Sequence, residues 1–244
     1  MQRRALFGSL LAGAAGLALD PRRVLAASPE PQPEARGRHL LDVADGTRLF
    51  FKDWGRGRPV VFVSAWGLQS DFWVYQMTYL ADQGLRCVAY DRRGHGRSSQ
   101  PGHGYDFDTL ADDLAVLLEH LDLRDVVLVG HSMGCADVVR YLSRHGGERI
   151  ARAVLVATVT PFTVKTADNP DGVDRAVLEA GRERLRRDFP GTVAAAAAGF
   201  FGPQNPVPEA TRQWWTGMVL QCSLKGLLEL HRAFTETDFR PELR

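Results

Sequence analysis

The chain has 244 residues, 45% hydrophobic and 24% charged, which suits a single large globular core rather than a disordered or fibrous chain. A net charge of +1 gives it no general pull toward nucleic acid or an acidic membrane surface. Its three cysteines, Cys87, Cys135 and Cys222, are widely spaced and suggest no disulfide framework; Cys87 and Cys135 read as small core residues.

Residues 1–27 differ in kind from the rest. MQRRALFGSLLAGAAGLAL pairs Arg3 with Arg4, carries no acid before Asp20, and has an apolar stretch over 5–19 that is short for a membrane span. Val24-Leu25-Ala26 offers a small-residue cleavage site, and the paired arginines resemble a twin-arginine export signal. The expectation is an exported protein, periplasmic or extracellular, with no stable membrane anchoring after cleavage; an uncleaved anchor is the alternative. Residues 28–38, containing PEPQPEARGR, read as a flexible linker, and the folded part is expected from His39 onward.

Two strands, 40–43 and 47–54, are predicted to flank the hairpin turn signal Asp45-Gly46. Apolar runs at 59–64, 86–90, 126–129 and 153–159 read as buried strands separated by helical segments. One such helix is predicted over 109–121, where Leu110, Leu114, Leu117, Leu118 and Leu121 form a stripe and Asp108 or Thr109 can cap the start. This alternation predicts an α/β class, a mostly parallel sheet covered on both faces, with a core over 39–160. Four helical segments then follow without a strand, at 175–189, 194–198, 210–221 and 224–235, so residues 161–238 read as a helical lid. There is no internal repeat, no metal-spaced Cys/His cluster and no phosphate-binding glycine loop.

The chemistry concentrates at VVLVGHSMGC, 126–135. A short β-branched run passes into a helix, and Gly130, His131, Ser132, Met133 and Gly134 fill the turn between them. The G-x-S-x-G pattern at a strand-to-helix turn is that of a nucleophile elbow: Ser132 is lifted off the sheet on a strained backbone, and the next N–H is left free for an oxyanion.

These residues resemble the α/β-hydrolase fold, and more narrowly its cofactor-free haloperoxidase and aryl esterase group. FVSAWGLQSDFW at 62–73 resembles that group's oxyanion loop, YDRRGHGRSSQP at 90–101 its loop before the first long helix, GHSMG its elbow, and AFTETDFRPEL at 233–243 the return from lid to core. The resemblance implies Ser132 as nucleophile, the N–H groups of Met133 and Trp66 as oxyanion hole, and an acyl-enzyme formed from a small carboxylic ester. It also implies that hydrogen peroxide can replace water and give a peracid, so that halide is oxidised without metal or organic cofactor. Ser64-Ala65 stands where the group usually has His-Gly. Phe162 and Trp214, with Trp215, Phe200 and Phe201, are expected to shape an apolar pocket. His131, pointing away from its neighbour, and His95 read as structural.

The resemblance further implies an acid after the lid and a histidine after the last strand. After Ser132 the only histidines are His145 and His231, and neither occupies that position. The acid and base are therefore expected beyond residue 244, and this chain is expected to be an incomplete and by itself inactive copy of a hydrolase of roughly 300 residues, with its last two strands missing. The strand at 153–159 would then be an exposed apolar edge. Asp168 and Asp171 are a second place for the acid. The competing function is a ligand-binding module of the same fold without catalysis.

Overall fold

The computed structural model describes residues 39–202, 204 and 207–243, so the segments expected to be an export signal and a linker lie outside the described residues. Strands β1 (Leu40–Asp42) and β2 (Arg48–Trp54) form the expected hairpin, turning at Gly46 with φ +80°. β3 (Pro59–Val63), β4 (Arg86–Tyr90), β5 (Val126–His131) and β6 (Ile150–Val156) complete a six-stranded sheet in the order β1-β2-β4-β3-β5-β6. β4, β3, β5 and β6 run parallel, and β2 joins β4 antiparallel.

Helices α1 (Val74–Asp82), α2 (Phe107–His120) and α3 (Met133–His145) connect these strands. α2 starts two residues before the predicted position because Asp106, rather than Asp108 or Thr109, caps it, its Oδ1 accepting the Thr109 N–H at 2.9 Å. Its leucines 114, 117 and 118 are buried against the sheet and Leu110 against α3 and α7, each side chain contributing roughly 2 kcal/mol. β6 ends at Val156 rather than Val159. Its partner β5 turns into the elbow after His131, which pairs with Val156, and Ala157 leaves the ladder at φ +47°.

β6 is the free edge of the sheet among the described residues. Val154, Leu155 and Val156 are 43%, 41% and 43% exposed. Four helices follow: α4 (Arg175–Arg187), α5 (Phe189–Phe200), α6 (Glu209–Leu220) and α7 (Leu224–Glu236). They close over the carboxyl ends of the strands, where Leu230 of α7 packs against Met133 and Ala136 of α3. The segment after α7 returns to the core: Phe239 is buried edge-on to Phe107, and Glu242 pairs with Arg140 of α3 at 2.9 Å. No helix among the described residues is long and apolar enough to cross a membrane.

Candidate active site

Chain order reverses between β3 and β5. From β3 the chain passes outward to β4, then crosses back to the other side of β3 for β5. Loops leaving adjacent carboxyl ends at such a point define a crevice, the usual place for a ligand in an open α/β sheet. Here those loops are 64–69, after β3, and the elbow, after β5.

Ser132 sits at φ +52°, ψ −114°, a conformation rare for any residue with a side chain. Its own N–H stays on the sheet, donating to the Val156 carbonyl at 2.9 Å, while its carbonyl accepts the Cys135 N–H at 3.0 Å. The backbone is thus pinned on both sides of a half-buried residue. The flanking glycines are required by space. A Cβ on Gly134 would stand 2.3 Å from the Val63 carbonyl oxygen, and one on Gly130 would stand 2.7 Å from that of Gly134. The first turn of α3 therefore approaches the end of β3 more closely than any side chain allows.

Met133 opens α3, and the first N–H groups of a helix have no partner inside it. Opposite it, the Leu68 N–H bonds to the Ala65 carbonyl and the Gly67 N–H to His95 Nε2 at 3.2 Å. The Trp66 N–H, just before them in the chain, engages no protein acceptor among the described residues. Two unengaged donors, one on the loop after β3 and one at the start of α3, could receive negative charge developing on an attacked carbonyl oxygen.

The Ser64-Ala65 departure leaves the loop well held. Ser64 Oγ accepts from Trp73 Nε1 at 3.0 Å, and the Ser64 carbonyl accepts from Arg92 Nη2 at 2.8 Å. Arg92 is itself fully buried and paired with Asp137 of α3 through Nε at 3.0 Å and through Nη2.

Trp66 packs under the lid. Its Nε1 donates to the Leu227 carbonyl at 2.8 Å, and its ring meets His231 edge-on. Beside it lies a cavity of about 180 Å³, lined by Leu185, Val193, Trp215, Val219 and His231 among others, enough for one aromatic ring or a short chain. Burial and the nearby Arg182 charge push the His231 pKa down to about 4.

The expected pocket residues divide differently. Trp214 lies on the outer side of α6, 37% exposed and edge-on to Tyr75, whereas Trp215 lines the cavity. The inward stripe of α6 is Trp215, Met218 and Val219, a spacing of three and four that excludes position 214. Phe162 is half-buried under the Arg240 guanidinium at 5.1 Å and does not line this cavity.

The histidines are occupied elsewhere. His131 stacks on Phe72 at 5.6 Å beside Trp73 and Phe200, and burial lowers its pKa. His145 bonds to Asp112 at 2.7 Å, at the far end of α3, about 20 Å from Ser132 at ~1.5 Å per residue. Asp168 is exposed and tied to Arg240 at 3.0 Å. No group of three or more His, Cys, Asp or Glu among the described residues could hold a metal ion.

Residues 58–204 match the family model described as alpha/beta hydrolase fold. The chain belongs to the alpha/beta hydrolase family. It is an enzyme of that class, in its haloperoxidase and esterase group. It is 44% identical over 211 residues to a non-heme haloperoxidase of Rhodococcus erythropolis, covering 84% of this chain and 76% of the relative. It is 39% identical over 213 residues to a bifunctional esterase/perhydrolase of Acinetobacter calcoaceticus, covering 82% and 75%. Among solved structures, a bromoperoxidase from Bacillus anthracis is similar with a TM-score of 0.78 and 38% identity, over 81% of this chain and 73% of that one. Sequence reasoning read His95 as structural, which its contacts bear out, but missed Asp91 and Arg92 as residues that hold the loops. Asp91, Arg92 and His95 lie in the quoted 90–101 block, yet only three-dimensional contacts show what they bind.

Proposed function

We propose that this hydrolase cleaves small carboxylic esters through an acyl-enzyme on Ser132, with the N–H groups of Trp66 and Met133 as oxyanion hole. The observation carrying this reading is the presence of a pinned, half-buried Ser132 and two unengaged N–H donors at the reversal point of the sheet. Each such donor contributes roughly 3 kcal/mol to a transition state that places charge on the carbonyl oxygen. The apolar cavity beside Trp66 favours an apolar or aromatic substituent on the substrate. Hydrogen peroxide in place of water would release a peracid. The printed names of the relatives, haloperoxidase and esterase/perhydrolase, support that side activity.

General base and acid are assigned to sequence following Arg244, and residues 1–244 alone are assigned a nucleophile without its base. Support comes from the engagement of His131, His145 and His231 away from Ser132, and from matches that cover about three quarters of each relative. The paired arginines support export through a twin-arginine signal.

The test is labelling of the full-length protein with a fluorophosphonate, followed by peptide mapping. A covalent adduct on Ser132, absent in Ser132→Ala, is expected; a full-length protein that takes no label there sinks the reading.

A further inference from the structure

The loop joining β4 to α2 begins Asp91-Arg92-Arg93-Gly94-His95-Gly96-Arg97-Ser98 and holds the 64–70 loop at three points. Arg92 Nη2 donates to the Ser64 carbonyl at 2.8 Å, His95 Nε2 receives the Gly67 N–H at 3.2 Å, and Asp91 Oδ1 receives the Ser70 N–H at 2.8 Å. Asp91 braces its own loop as well, its Oδ2 accepting the Arg97 N–H at 2.8 Å.

The middle contact decides which donor remains free. His95 Nδ1 lies 3.0 Å from the Arg93 carbonyl, which can only accept, so Nδ1 carries the proton and Nε2 keeps its lone pair. The imidazole is fully buried, and burial with the Arg92 charge pushes its pKa down to about 3, so the ring stays neutral across ordinary pH. A neutral ring of this tautomer has one acceptor, and it is spent on Gly67. That bond fixes the peptide between Trp66 and Gly67, while the Leu68 N–H turns back to Ala65. Trp66 is left with its N–H unengaged by any protein acceptor among the described residues, immediately before two engaged N–H groups.

We infer that His95 is a positioning residue of the oxyanion hole: by accepting the Gly67 N–H it fixes the backbone at Trp66 and selects the Trp66 N–H as the donor offered to substrate. This rests on the proposed acyl transfer at Ser132 for its catalytic meaning. The His95–Gly67 pairing itself rests on geometry alone.

The experiment uses the full-length protein with His95→Leu, which fills the space without an acceptor, and His95→Gln, whose amide oxygen can receive the Gly67 N–H. Two readouts need no chemistry at Ser132. Imidazole nitrogen shifts should report the Nδ1–H tautomer, and the Gly67 amide should exchange slowly in the parent and in His95→Gln but fast in His95→Leu. The third readout is phosphonylation, resolved into its maximal rate and its half-saturating concentration. His95→Leu should lower the maximal rate about 100-fold, the scale of one lost oxyanion donor, with half-saturation within about twofold of the parent. His95→Gln should recover most of it at a melting temperature similar to that of His95→Leu.

An Nε2–H tautomer, a Gly67 amide unaffected by His95→Leu, or a His95→Leu protein labelled at the parent rate would each overturn the inference. So would a His95→Gln protein as slow as His95→Leu despite a protected Gly67 amide. A parent that shows the tautomer and the protection but takes no label defeats the acyl-transfer reading instead, and with it the catalytic role of His95, while leaving the pairing established.

Discussion

Trp66 on the loop after β3 donates its indole Nε1–H to the carbonyl of Leu227 on the last lid helix, at 2.8 Å. The side chain of a candidate oxyanion residue is therefore fastened to the lid. Trp66→Phe keeps the ring and deletes this bond. It should cost about 1 kcal/mol of stability and loosen α7, seen as faster amide exchange around Leu227. Unchanged exchange there would show that the bond does not couple loop to lid.

The elbow stores backbone strain. Ser132 adopts φ +52° and ψ −114°, which glycine tolerates and serine does not. Ser132→Gly should raise the free energy of unfolding by about 1 kcal/mol while abolishing phosphonate labelling. Urea titrations of parent and variant measure this, and equal midpoints would deny the strain.

Acid should unfold the protein earlier than its carboxylates alone require. The pKa values of His95 and His231 are held at about 3 and about 4, below the ordinary value of 6.5. Between those limits the folded state binds fewer protons than the unfolded chain. Stability fully present above pH 6.5 is thus lost as pH falls, by at most about 1.4 kcal/mol per pH unit for each ring. Asp71 and Asp112, lowered by Lys52 and Arg97 and by Arg144 and His145, add to the loss at lower pH. Denaturant midpoints should drop between pH 7 and pH 5, and His231→Phe should flatten that slope. Midpoints constant over this range would contradict the burial argument.

The free edge of β6 should drive association of the 244-residue chain. Val154, Leu155 and Val156 offer exposed apolar side chains beside unpaired strand backbone. Val154→Lys should slow aggregation, followed by light scattering at fixed temperature, without moving the melting transition by more than about 0.5 kcal/mol, as befits an exposed position. Scattering unchanged by the lysine would direct attention to another surface.

Much of this architecture is legible in the sequence because the responsible signals are local. The Asp45-Gly46 turn, the leucine stripe of α2 and the glycines around Ser132 each encode a backbone demand within a few residues. Strand β6 is harder to place because it ends at Val156 where its partner ends, and the turn of β5 after His131 lies 25 residues upstream in sequence. Trp214 and Trp215 are indistinguishable as letters. The three-and-four spacing with Met218 and Val219 separates them once the buried face of α6 is known. His95 shows the limit most clearly, since its acceptor role depends on Arg93 and Gly67, the latter 28 residues away.

The Arg92–Asp137 pair ties together two parts of the chain that chemistry would use at once. Arg92 holds the end of β3 through the Ser64 carbonyl, and Asp137 belongs to the helix that begins at Met133. Both charges are wholly buried, so separating them leaves an uncompensated ion at a cost of about 3–5 kcal/mol. The hydroxyl and its opposing N–H groups therefore melt as one cooperative unit: on heating, loss of the oxyanion geometry and loss of the native core should share a single midpoint, with no folded population in which one half of the site has come apart from the other.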